Sequence, residues 1–144
     1  MIDRGAICRR LHALERYVAE LRQLAGRLTH ETFDDDLSSQ WAVEHGLQLA
    51  VECVLDVGSH LVAAQQLGAA ESYREVIELL GQAAILPPDF VTRVRGMPGF
   101  RNILVHEYLA VDLEVVWTML HEGPAQFEEF IQHVAKHVRD APGE

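Results

Sequence analysis

Apolar residues recur at intervals of three and four along nearly the whole chain, and that period selects helices over strands. Ile7, Leu11, Leu14, Val18, Leu21, Leu24 and Leu28 form the first stripe, with arginines on the other side and Asp3 placed to cap the start. Thr29 to Leu37 breaks the period and reads as a loop. A longer second helix starts near Asp36 or Ser38 and carries Trp41, Leu47, Val51, Val54, Leu55, Val57, Leu61 and Val62 at its apolar positions. It runs to about Leu67, where Gly68 supplies a stop. Gly58 inside it costs about 1 kcal/mol against alanine and reads as a place of close helix packing.

A short third helix fits Glu71 to Ala84, with Tyr73, Val76, Ile77, Leu79 and Leu80 on its buried side. Pro87-Pro88 forces a break, and Asp89 is placed to cap a fourth helix holding Phe90, Val91, Val94, Met97, Phe100, Ile103 and Leu104. Pro98-Gly99 within it predicts a kink or a locally broken turn. Asp112 reads as the cap of a last helix from Leu113 to about Arg139, kinked at Pro124, and Ala141 to Glu144 should fray. No alternating β-branched run is bounded by hairpin turns. The expectation is an all-α bundle of four long helices plus one short one, a single domain over residues 1–144.

With 144 residues, 49% of them hydrophobic, such a bundle can bury a real core. No run of about 18 apolar residues is present, so no membrane span is expected, and the N-terminus has no secretory pattern. Cys8 and Cys53 stand 45 positions apart without a CxxC, which suits a reducing cytoplasm and excludes a disulfide scaffold or zinc ribbon. The formal net charge of −10 argues against a general nucleic-acid coat. The bases are clustered, however: six arginines precede residue 28, and Arg93, Arg95 and Arg101 make a second group. Residues 31 to 60 hold no Lys or Arg.

Most candidate chemistry falls away. His133 and His137 share a helix face at metal-ligand spacing but lack a third ligand, so no metal site is expected. His12, His30, His45, His60 and His121 have no evident partner. Both cysteines lie on apolar helical stretches, where the thiol acts as a small hydrophobe. P-loop, GxGxxG and HExxH patterns are absent.

The dense segment is Phe100-Arg101-Asn102-Ile103-Leu104-Val105-His106-Glu107-Tyr108. On a helix, Asn102 and His106 stack four residues apart, Arg101 reaches across, and Tyr108 falls back under Arg101. Spacing alone supports a helix end with a salt-bridged arginine and a surface histidine. Arg101-x4-His106-x-Tyr108, within MPGFRNILVHEYLAVD, resembles the Arg-x4-His-x-Tyr motif of the HepT-like toxins, a branch of the HEPN superfamily. WAVEHGLQLAVECVLDVGSHL resembles the family's second signature, and with ESYREVIELL the resemblance covers about residues 5 to 135.

The resemblance implies a homodimeric HEPN-type bundle and a metal-independent endoribonuclease that needs no cofactor, the toxin of a toxin–antitoxin system. Arg101 and His106 would be catalytic, two copies meeting across the dimer in one composite site, with Asn102 orienting the phosphate or His106. The implied partner is a minimal nucleotidyltransferase antitoxin that adds AMP to Tyr108, and the implied substrate is RNA. A dimer would also gather two copies of Arg93, Arg95 and Arg101 into a positive groove. Glu44, Gln48, Glu52 and Asp56 repeat every four residues, so Glu52 or Asp56 is placed to pair with Arg101. The alternative is a catalytically inactive HEPN module that binds a nucleotidyltransferase or a nucleotide.

Overall fold

The computed structural model describes residues 1–141, and all regular structure among them is helical. Helix α1 spans Arg4–Arg27, with the Asp3 side chain accepting from the Ala6 amide at 3.0 Å. Its stripe from Ile7 to Leu24 is buried. Cys8 faces out instead of packing as a hydrophobe.

The expected loop after α1 contains a helix. α2, His30–Asp35, is closed by a reciprocal cap between Thr29 and Thr32 and buries Phe33 completely. Six residues make under two turns, too few to print a period in the sequence. α3, Leu37–Ala64, is the central helix; it packs against α1, against α2 and against three of the helices that follow it. By length and composition alone α3 could cross a membrane, contrary to expectation, but its apolar positions from Val43 to Val62 are buried in the bundle. Trp41 does not join them and is 62% exposed.

α3 ends three residues before the expected stop. Leu67 donates to the Val62 carbonyl and Gln66 to that of Ala63, the paired bonds of a Schellman ending. The left-handed residue is Gln66, at φ 53°, and not Gly68. α4, Tyr73–Gln82, ends in the same way, with Ala84 left-handed at φ 60°. A Cβ on Gly58 would stand 2.9 Å from Val76 Cγ1, so that glycine does admit the close approach of α4.

The fourth expected helix is two. α5 spans Pro88–Val94 and α6 spans Met97–His106. The break falls at Arg95-Gly96, which puts Pro98 in the first turn of α6, where its missing N–H costs nothing. Asp89 caps nothing; it sits in the first turn of α5 and pairs with Arg93. A 3-10 turn, Tyr108–Ala110, leads to α7, Leu113–Asp140, which Asp112 caps and which stays helical through Pro124. Ala141 is tied down rather than frayed, its carbonyl accepting from Arg4 at 3.1 Å. Residues 142–144 of the expected frayed tail lie outside the described residues. The described helices therefore number seven, not five, and their buried side chains join in one cluster.

Candidate active site

α6 delivers the motif to the surface, and α3 fixes its first residue. Arg101 Nε donates to Glu52 Oε1 at 2.7 Å, and both side chains are mostly buried, at 17% and 28% exposure. Arg101 Nη1 donates to Asn102 Oδ1 at 3.2 Å. Of the two acids offered by the four-residue repeat, Glu52 takes the arginine; Asp56 points to solvent. The guanidinium carbon also lies 5.7 Å from the centroid of the Tyr73 ring, the first residue of α4. Tyr73 is the residue sequence reasoning missed. Its apolar spacing marked it as core, yet it is 38% exposed beside Arg101.

His106 is the last residue of α6 and is exposed, one turn along from Asn102. The helix stops there, with Glu107 donating to the Ile103 carbonyl at 3.0 Å. Tyr108 lies past the end of α6, so the helical spacing that would stack it under Arg101 does not extend to it. It stands on the 3-10 turn, 73% exposed, next to Leu109 at 90%. The motif presents an anchored cation, an amide and an imidazole along about one and a half helical turns, with an exposed phenol just past its end.

The expected positive groove is not built from free charges. Arg93 is clamped by both oxygens of Glu129 at 2.8 Å and by Asp89 at 3.2 Å. Arg95 is bonded to Glu78 at 2.7 Å. The Arg93 guanidinium, with His133 behind it, holds the Glu129 carboxyl down to about 2. Each arginine of the second cluster thus has its own carboxylate, and the net contribution is small.

Several of the other histidines also acquire partners. His133 meets Glu129 at 3.0 Å and His137 meets Gln65 at 2.9 Å, both half-buried, so the last helix does not turn them to open solvent as a pair. Burial pushes His137 down. His30 bridges Glu114 at 2.7 Å and Asp34 at 3.1 Å; the bond to Glu114 chiefly raises it. These three exposed groups are close enough to hold a cation, a grouping no sequence spacing announced.

The chain is similar to named proteins over most of its length. An mRNA nuclease HepT of Shewanella oneidensis is 29% identical over 125 residues, 87% of this chain and 92% of the relative. A tRNA nuclease HepT of Aphanizomenon flos-aquae is 27% identical over 128 residues, 87% of this chain and 84% of the relative. A solved structure of the tri-AMPylated HEPN toxin of Shewanella oneidensis in complex with an MNT antitoxin superposes with a TM-score of 0.83 at 28% identity, covering 94% of this chain and 99% of that one. Residues 14–134, which run from the middle of α1 through the motif into α7, match the family described as Ribonuclease HepT-like, and the chain belongs to that family.

Proposed function

We propose that this chain is the toxin of a toxin–antitoxin pair, an endoribonuclease whose site is Arg101 and His106. The observation that carries the reading is the anchoring of Arg101. A half-buried arginine held by Glu52 and Asn102, on the same short helix as an exposed histidine five residues on, is a fixed phosphate grip with a proton carrier on the same element.

RNA brings its own nucleophile, the 2′-hydroxyl. An imidazole, which ordinarily titrates near neutrality, takes the hydroxyl proton as the oxygen attacks phosphorus or gives one to the departing 5′ oxygen. Arg101 offsets the charge that develops on the non-bridging oxygens, and Asn102 holds Arg101 or the phosphate in register. Two copies of α6 meeting in a homodimer supply two imidazoles, so one acts as base while the other acts as acid. No step requires a metal.

Tyr108 is the modification point in this reading. A relative is known in a tri-AMPylated form with an MNT antitoxin, and here the exposed phenol stands two residues past His106. AMP on that oxygen adds bulk and negative phosphate at the mouth of a site built for phosphate, and both exclude RNA.

The test is cleavage of total RNA in excess EDTA by protein whose intact mass shows no added AMP. Wild type should cut, and Arg101→Ala and His106→Ala should not, with His106→Ala keeping the wild-type melting temperature and Arg101→Ala remaining folded. Failure of dimeric, unmodified wild type to cut any RNA would overturn the reading in favour of a silent helical module.

A further inference from the structure

We propose that Tyr73 forms a base-stacking subsite for single-stranded RNA, beside the phosphate grip of Arg101; the inference rests on the ribonuclease reading above. Two cavities, of about 550 and 390 Å3, meet at Ser72, Tyr73 and Asn102. Both fall within the roughly 300–1,000 Å3 of small-ligand sites. They flank Asn102, the residue that hydrogen-bonds Arg101, so a strand whose phosphate sits on Arg101 has both cavities beside it.

The ring at their junction is placed for that role. Tyr73 starts α4 instead of filling the core, keeps 38% of its surface open, and has the Arg101 guanidinium 5.7 Å from its centroid. An aromatic ring next to a cation stacks any base, because every base has a π face. The charges around it sort the cleft. The larger cavity has Glu71 on its wall, whereas the smaller is lined by Arg74 and Arg95. Arg95 is engaged by Glu78, but Arg74 makes no ion pair among the described residues and remains to meet a phosphate. The base therefore stacks on Tyr73, with the adjoining phosphate toward Arg74 in the smaller cavity. A peptide would gain little from an unpaired arginine beside a stacked tyrosine unless it were acidic, and an RNA strand carries both complements in every nucleotide.

The probe is a short single-stranded RNA, 2′-O-methylated throughout so that it has no nucleophile, with 2-aminopurine at successive positions in successive oligomers. Full-length wild-type protein should quench the fluorophore most strongly at one position. Tyr73→Ala and Tyr73→Leu should each weaken binding about 10-fold, within the range of one lost base–aromatic stack. Tyr73→Phe should stay within about twofold, since the ring rather than the hydroxyl does the stacking. Tyr73→Leu keeps apolar bulk at the head of α4 and guards against misreading an unfolded alanine variant. The subsite is overturned if oligomers fail to bind, if quenching shows no preferred position, or if Tyr73→Leu binds like wild type. Because the probe cannot be cut, quenching that depends on Tyr73 in a protein that cleaves no natural RNA would sink the nuclease reading and keep the subsite. Cleavage in EDTA with a KM unmoved by Tyr73→Leu would do the reverse.

Discussion

The bond from Arg101 to Glu52 is where the candidate chemistry meets the fold. A charge-assisted hydrogen bond between two mostly buried side chains is sensitive to loss of either charge. Glu52→Gln keeps the shape and removes the charge. It should lower RNA cleavage about 10-fold or more, since a small displacement of a positioned group is costly, and should lower stability by about 1–2 kcal/mol. Asp56→Asn, on the exposed side of α3, should change neither. Cleavage rates and thermal melts of the two variants check this, and equal behaviour of both would remove Glu52 from the site. The pairing was half legible in the sequence. A four-residue repeat on α3 offered two acids, but which one faces α6 depends on the rotation of one helix against the other. Tyr73 was not legible at all, because an aromatic at an apolar position looks the same whether it ends in the core or at its rim.

Among the elements, the long helices were readable because their stripes repeat over several turns. The short ones were not: α2 has a single buried residue, Phe33, and its capping box uses Thr32 where a sequence reader looks for Glu or Gln. Pro98 looks in the sequence like a disruption within a helix, whereas the chain uses it to start one. Gly68 looks in the sequence like the stop of α3, yet α3 and α4 both close on non-glycine residues in left-handed geometry. That geometry is strained for an L-residue by about 1–2 kcal/mol, while glycine adds some entropy to the unfolded chain. Ala84→Gly should therefore raise stability by about 1 kcal/mol, or about 3 °C in a melt. A lower melting temperature would refute it. A second prediction belongs to the α5–α7 junction, where Arg93 clamps Glu129. A carboxyl held down to about 2 contributes stability that is fully present above its unfolded value and disappears as pH falls toward the folded one. The melting-temperature gap between wild type and Glu129→Gln should be widest above pH 5 and close toward pH 2. A gap independent of pH would show that the clamp contributes no charge.

At the scale of the whole molecule, charge and symmetry must be reconciled with an RNA substrate. Each chain carries −10, and each of the arginines that were to offset it at the site has an acid of its own: Arg93 has Glu129 and Asp89, Arg95 has Glu78, and Arg101 has Glu52. Sequence clustering showed the bases but not the partners Glu129, Glu78 and Glu52, which come from other helices. Binding by such a body cannot rest on a broad cationic surface and has to come from a few fixed contacts, so its salt dependence should be shallow. It also makes the proposed symmetry testable. If one imidazole is base and the other acid in a single composite site, then a dimer with one wild-type chain and one His106→Ala chain lacks a partner for the reaction. General acid or base catalysis contributes about 100- to 10,000-fold. The mixed dimer, isolated with two different affinity tags, should therefore retain a few per cent of wild-type activity or less. If each subunit worked alone, the same dimer would keep about half. A half-active hybrid would separate Arg101 and His106 from the dimer interface and leave the motif to act within one chain.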